Sequence, residues 1–400
     1  MSVIDHTGLR LPAGLARRTA AYGPSFWAGL DSLFGLHPDI IYFGGGVPSQ
    51  ELIPVERLRY ASGLAWADAP AALDYGEVAG YRPLRHLIAD RMTAQGTLVD
   101  AGQVVVTNGS QQAIDLAARL LLNPGDAVVV EAPTFIDAIR SFAAYEATFL
   151  EVPVDQDGMR IDALREVLRG AAIPPKLIYT IPTFQNPSGT SLSLSRRHEL
   201  LDVAREHGLA VIEDDPYGEL RYDGDPLPSL RSLDPHVIYL GTFSKTIAPG
   251  LRVGWVAAPE HLLELFRMAK EGTDIHTARI VTRTVFHAAE GFLDDHVAGL
   301  RAVYRARREV LLETLAAEMP AGLRWSRPDG GFFVWVELPE TINASELLPM
   351  AAANGVIFLP GSGFYPNPAT GGSHALRLNF SALPEDRIRE GIRRLAAVIR

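Results

Sequence analysis

From residue 104 onward, short continuous apolar runs alternate with longer stretches in which apolar residues recur every three or four positions. The short runs are VVVT (104–107), AVVVEAP (127–133), TFLEVPV (148–154), KLIYTIP (176–182), AVIED (210–214), HVIYLGTF (236–243) and VGWVAAP (253–259). They are rich in Val and Ile, and their length and composition predict buried strands. Between them lie SQQAIDLAARLLL, FIDAIRSFAAY, IDALREVLR, RRHELLDVAREHG and HLLELFRMAKEG, whose spacing predicts amphipathic helices. Strands without apolar/polar alternation are buried on both faces. The pattern therefore predicts an α/β fold, with a mainly parallel sheet between helices. Such sheets bind ligands beyond the carboxyl ends of their strands. The turns after the strands are the places to look for chemistry.

The pattern changes near residue 290. A helical stretch over 290–318 leads into LRWSRPDGGFFVWVELP, where alternation and turn residues mix, and then into strand-like VIFLPGSGF and HALRLNFS. In the last segment, PEDRIREGIRRLAAVIR, Pro384 marks a helix start and Ile388, Ile392, Leu395 and Ile399 share one face. These elements predict a smaller α+β unit. The expected division is an arm over 1–45 that belongs to the small domain, a large domain over 46–290 and a small C-terminal domain over 291–400.

Composition narrows the function classes. A 400-residue chain with 47% hydrophobic and 21% charged residues suits a globular protein with a sizeable core. The net charge of −10 argues against nucleic acid or an anionic membrane as partner. The absence of cysteine removes disulfides, thiolate catalysis and thiolate metal sites, and favours a cytoplasmic setting. MSVIDHTGLRLPAGLARRTAAYG has no apolar core followed by a cleavage pattern, so it reads as an arm rather than a signal peptide. No window of about 18 apolar residues marks a membrane span.

Four turns carry candidate chemistry. In TNGSQQAIDL a strand ends, Gly109 permits a sharp turn and a helix starts at Ser110. Free N–H groups at such a start attract anions, and Ser110 and Gln111 add a hydroxyl and an amide. Taken alone, a capped helix without a ligand is the simpler account. AVIEDDPYGEL closes a strand on Glu213, Asp214 and Asp215, with Tyr217 following. Buried acids need partners, so a metal, a cationic group or plain solvation all remain open. QNPSG places Asn186 beside a Pro–Gly turn, and alone it is only a turn. In GTFSKTIAPGLRVGW, Lys245 sits between Ser244 and Thr246 with Arg252 seven residues on. A desolvated strand-end lysine loses its proton more easily and becomes a nucleophile toward carbonyls. The P-loop pattern is absent, and a surface lysine is the bland alternative.

Taken together, these parts fit one cofactor. Pyridoxal 5′-phosphate needs an amine for its aldehyde, an acid for its ring nitrogen and a phosphate cup. Lys245 supplies the amine and Asp214 the acid. Tyr217 and Asn186 suit the ring hydroxyl, and Phe135, in EAPTF, suits the ring face. Ser110, Gln111, Thr242, Ser244 and Arg252 suit the phosphate.

The ordered set FGGGVPSQELIP, DYGEVAGYRPLR, TNGSQQAIDL, EAPTF, QNPSGT, EDDPY, GTFSKTIAPGLRVGW, GGFFVWVELP and LRLNF resembles the fold type I, class I/II aminotransferases. The nearest branch is that of the 2-aminoadipate and kynurenine aminotransferases, which also resembles the cofactor domain of MocR-type regulators. The resemblance implies a seven-stranded-type sheet. It also implies exchange of an amino group between an amino acid and a 2-oxo acid, with Lys245 as general base and acid. It further implies a homodimer with shared active sites, in which Tyr75 reaches the partner's phosphate. Arg377 grips the substrate α-carboxylate, and Gly45 and Gly46 form the glycine turn near the substrate.

Three positions depart from the family. Phe135 stands where tyrosine is usual. Ala28 stands near an expected arginine, so Phe26, Trp27 and Phe34 suggest a wall for an apolar or aromatic side chain. Arg279 replaces a small or polar residue, with the cofactor, the dimer interface and the substrate all open as its partner. Decarboxylation, elimination or oxidation on the same scaffold is the alternative chemistry. A sensor role is disfavoured, because no DNA-binding pattern precedes FGGGVP. A nicotinamide dehydrogenase is disfavoured, because no GxGxxG opens a helix after an early strand.

Overall fold

A computed structural model describes residues 14–21 and 30–399. The strands, in chain order, are β1 (Ile41–Tyr42), β2 (Val104–Thr107), β3 (Ala127–Ala132), β4 (Thr148–Asp155), β5 (Gly158–Met159), β6 (Pro175–Thr180) and β7 (Ala210–Asp214). They continue with β8 (Ile238–Thr242), β9 (Gly254–Ala257), β10 (Arg324–Trp325), β11 (Phe333–Glu337), β12 (Val356–Ile357), β13 (Leu359–Pro360) and β14 (Ala375–Asn379). Each strand expected between 104 and 259 is present, with ends that differ by at most two residues.

The large sheet has the order β2-β9-β8-β7-β6-β3-β4-β5. Pairings from β8 through β4 are parallel, whereas β9 runs antiparallel to both of its neighbours. The expected seven strands gain an eighth, because the two-residue β5 folds back on β4. Val128 and Val130 face one core and Val129 faces another. All three are fully buried. Neighbouring strand residues point to opposite faces, and both faces are covered by helices. That is why the sequence shows continuous apolar runs.

The C-terminal unit is a four-stranded antiparallel sheet, β10-β11-β14-β13, covered by the helices Leu293–Glu318, Ala344–Ala353 and Glu385–Ile399. Ile388, Ile392, Leu395 and Ile399 all face inward, as their spacing predicts. Ile41 and Phe43 join the same core, and β1 pairs with β12. Phe43 lies where a Cβ on Gly391 would sit, so the helix and the N-terminal segment close on one another only at a glycine.

Among the described residues, the helices Val55–Ala67, Arg82–Ala94, Arg279–Ala289 and Ala344–Ala353 and the short Leu230–Leu233 escape the periodicity. The first leaves Val55, Tyr60, Leu64 and Trp66 exposed, so apolar residues occur around it and no single stripe stands out. The stretch from 290 starts as a helix only at Leu293, after Gly291 turns the chain with φ 64°.

Candidate active site

The ends of β2, β3, β6, β7 and β8 converge beneath the small unit on a cavity of about 740 Å³. Its wall includes Ser110, Gln111, Phe135, Asn186, Asp214, Tyr217, Thr242, Ser244, Lys245, Arg252, Arg377, Gly45 and Gly46. Residues that lie far apart in the chain meet because parallel strands all end on one side. Tyr75 is not in this wall. It is 75% exposed, and its ring lies edge-on to His276.

Lys245 lies three residues beyond the end of β8. Its Nζ donates to the Gly46 carbonyl at 2.7 Å and lies 5.9 Å from the centre of the Tyr217 ring. Burial above all, with the charges of Arg377 and Arg252, lowers its pKa to about 8 against the pull of Asp214. The amine therefore reaches its neutral, nucleophilic form near physiological pH.

Asp214 is the last residue of β7. Its Oδ2 accepts a hydrogen bond from the Tyr179 hydroxyl at 2.7 Å, while its buried Oδ1 has no partner. Burial raises its pKa to about 7, with Tyr179 and Lys245 acting against the rise. The other two acids of EDDPY have different tasks. Glu213 accepts from the backbone N–H groups of Leu230 and Arg231, both at 2.9 Å. Asp215 accepts from Gly218 N at 2.8 Å and from the Tyr239 hydroxyl at 3.0 Å. Of the three, Asp214 alone lines the cavity.

Across the cavity, Arg377 on β14 donates from Nη1 to Asn186 Oδ1 at 2.8 Å and from Nη2 to the Gly44 carbonyl at 2.6 Å. Its guanidinium lies 4.1 Å from the Phe333 ring centre and 5.0 Å from that of Phe364. Its buried Nε has no partner. Burial lowers its pKa to about 10, which still leaves it charged at neutral pH. A desolvated guanidinium with unused N–H groups is a carboxylate receptor.

The third corner is built for an anion. Gly109 has φ 76°, and a Cβ there would come within 2.5 Å of Arg252 Nη2. The turn thus lets the guanidinium lie against the start of the Ser110–Leu121 helix, whose first N–H groups lack intrahelical partners. Arg252 itself holds φ 52°, an uncommon conformation for a side-chain-bearing residue. The Thr242 hydroxyl accepts from Ser244 N at 3.1 Å and fixes that hydroxyl pair at the cavity edge. The amide nitrogen of Gln111 donates instead to the Asp137 carbonyl and to Ser141 Oγ. What Gln111 offers the cavity is its backbone N–H.

The orphaned Asp214 oxygen, the depressed lysine and the cationic cradle fit pyridoxal phosphate. They match, in order, its protonated ring nitrogen, its aldehyde and its phosphate. Phe135 lines the same wall. Arg279 does not, and its guanidinium holds the backbone carbonyls of Asp74 and Tyr75 instead. Phe26, Trp27 and Ala28 lie outside the described residues, while Phe34 packs edge-on against Tyr42. Sequence reasoning missed Tyr42, Asp137, Arg140 and Phe364, which line the cavity, and Tyr179, which supports Asp214. Tyr179 sits inside a continuous apolar run, so nothing local distinguished it from ordinary core.

An α/β sheet with this site defines a pyridoxal-phosphate-dependent transferase. Residues 38–395 match the family model for class I and II aminotransferases. The chain is 40% identical over 372 residues to an aromatic-amino-acid aminotransferase of Thermococcus litoralis, covering 90% of this chain and 88% of the relative. It is 38% identical over 369 residues to a 2-aminoadipate transaminase of Thermus thermophilus, covering 91% of each. Its fold matches the crystal structure of a kynurenine aminotransferase from Pyrococcus horikoshii in complex with PMP. The TM-score there is 0.91 and the identity 38%, with 96% of each chain covered. The chain belongs to the class I and II aminotransferases. It is an enzyme that moves an amino group between an amino acid and a 2-oxo acid, with pyridoxal 5′-phosphate as cofactor.

Proposed function

We propose that Lys245 binds the cofactor aldehyde and moves the proton, that Asp214 faces the ring nitrogen, and that Arg377 grips the substrate α-carboxylate. The donors are amino acids with apolar or aromatic side chains. The observation that carries this assignment is one cavity containing the depressed Lys245 amine, the unpartnered Asp214 Oδ1 and the buried Arg377 fork. When bound, pyridoxal phosphate supplies an electron sink that makes the substrate Cα–H bond acidic.

Each side chain has a defined task. Asp214 keeps its carboxylate ionised when a cation lies opposite, since that charge offsets its burial. Arg377 and Asn186 orient the substrate by its carboxylate, which brings Cα within reach of Lys245. Lys245 Nζ, neutral in part at pH 7–8, takes the Cα proton and later returns it. Tyr217 and Asn186 would hold the ring hydroxyl. Ser110, Gln111, Thr242, Ser244 and Arg252 would hold the phosphate, and Phe135 would cover the ring. Gly46 keeps the approach to the substrate open.

Tyr42, Phe135, Ile136, Ile181 and Phe364 give the cavity apolar walls, which supports the choice of donor. Incubating the protein with single amino acids tests both reaction and donor. Leucine and phenylalanine are expected to give their 2-oxo acids and the aminated cofactor, seen by mass spectrometry. Strong preference for glutamate or 2-aminoadipate sinks the donor assignment. Release of carbon dioxide, or loss of a side-chain group, sinks the assignment of these residues to transfer.

The same proposal makes the working unit a cytoplasmic homodimer in which Tyr75 serves the partner's phosphate. Exposed Val55, Tyr60, Leu64, Trp66, Leu73 and Tyr75 within 55–75 support it, because apolar residues gathered in this way mark an interface. Among the described residues no helix is long and apolar enough to cross a membrane. It also divides the chain into 1–45, 46–290 and 291–400, in keeping with the core that Ile41 and Phe43 share with the last helix.

A further inference from the structure

Lys270 is fully buried and does not line the cavity. It sits one turn before the end of the Glu260–Asp274 helix, four residues before Asp274, so the two side chains meet along one helix face. Its Nζ lies 2.9 and 3.0 Å from the two carboxylate oxygens. Asp274 Oδ2 also accepts from Asn108 Nδ2 at 2.5 Å and from Gln112 Nε2 at 2.8 Å. Gln112 Oε1 in turn accepts from Asn108 N at 2.8 Å and from Lys270 Nζ at 3.0 Å. Residues 108 and 112 bracket Gly109, Ser110 and Gln111, the turn assigned to the phosphate. Just past Asp274 the chain is tied to β2, because Thr277 Oγ1 donates to the Val106 carbonyl at 3.3 Å.

Two physical consequences follow. First, a half-buried carboxylate holds both flanks of the turn, so its side-chain donors have fixed partners and the turn has one favoured shape. Second, that carboxylate lies close to a site meant for a dianion. Like charges at short range oppose binding. Lys270 cancels the charge at its source, and it is too enclosed to serve as a surface cation.

We propose that Lys270 and Asp274 are positioning residues for the cofactor phosphate. The pair locks the Asn108–Gln112 turn so that the Ser110 and Gln111 N–H groups converge on the phosphate, and the Lys270 charge compensates that of the locking carboxylate. This inference rests on the pyridoxal-phosphate assignment above.

The test compares binding of pyridoxal 5′-phosphate with that of pyridoxal, which lacks the phosphate, to the full chain stripped of cofactor. Circular dichroism checks that each variant is folded. Lys270→Met is expected to weaken pyridoxal phosphate by about 30-fold, since it unpairs a carboxylate beside the anion. Pyridoxal binding is expected to change by less than about twofold, because its contacts do not include the cup. Asp274→Asn, the milder variant, is expected to weaken the phosphate form by about tenfold through the loosened turn. Lys270→Met combined with Asp274→Asn is expected to bind pyridoxal phosphate better than Lys270→Met alone, because no unpaired charge remains. A merely structural pair has no reason to discriminate by phosphate or to show that recovery. Equal losses for both ligands, or no loss for either, overturn the inference. A wild-type chain that binds neither ligand overturns the cofactor-site assignment instead.

Discussion

Lys245 shows how burial makes a reagent of an ordinary side chain. With its pKa lowered to about 8, its neutral fraction grows as pH rises through that value. The sign is unambiguous, because the neutral amine is the nucleophile and desolvation disfavours the charged form. The rate at which the stripped protein captures pyridoxal phosphate is therefore expected to rise about tenfold per pH unit below 8 and to flatten above it. Stopped-flow absorbance at several pH values reads this directly, and a flat profile counts against Lys245 as the capturing amine. Lys245→Ala is expected to retain cofactor by its phosphate but to lose the visible band of the lysine-bound form. Its turnover is expected to fall by about 10³-fold or more, measured as 2-oxo acid formed. Arg377→Ala separates binding from chemistry. Loss of a buried carboxylate receptor is expected to lower kcat/KM by about 100-fold, mainly through KM.

At the scale of elements, the site depends on turns rather than on strands. Gly109 has φ 76°, and a Cβ there would strike Arg252. Gly109→Ala combines backbone strain with a displaced guanidinium, so cofactor affinity is expected to fall by about tenfold or more. Equilibrium dialysis of the cofactor checks it, and unchanged retention rejects the role given to Arg252. The C-terminal helix has a purely structural task. Ile388 is fully buried against the small-unit core. Ile388→Ala is expected to cost about 2–5 kcal/mol of stability, read by denaturant unfolding, with cofactor contacts preserved. These two elements were unequally legible. Ile388 and its partners announced themselves by spacing, because a half-buried helix has a period. The Gly109 turn was visible as a turn, but its approach to Arg252 was not, since 143 residues separate the two.

For the whole molecule, the exposure of Tyr75 sets the decisive experiment. If each active site draws Tyr75 from the partner subunit, Tyr75→Ala chains and Lys245→Ala chains fail singly and complement when mixed. Random exchange makes half of the dimers hybrid, each with one intact site, so recovery of about one quarter of wild-type activity is expected. Mixing after mild dissociation, followed by a turnover assay, measures it. Absence of recovery in a sample shown to contain hybrids rejects the shared site.

The sequence by itself determined the alternation of buried strands and amphipathic helices, the change of pattern near residue 290, and the ordered motifs at strand ends. These features are encoded locally, by side-chain volume, period and turn chemistry. They were enough to name Lys245 and Asp214 together, and the resemblance carried by the ordered motifs added Arg377. Only the tertiary structure decided what the two acids beside Asp214 do, because a pleated strand sends neighbours to opposite sides and folding supplies the partners of Glu213 and Asp215. Tyr179, Lys270 and Asp274 likewise became visible only in three dimensions. Each looks like core or helix surface in the sequence, and each acquires its task from a partner brought close by folding.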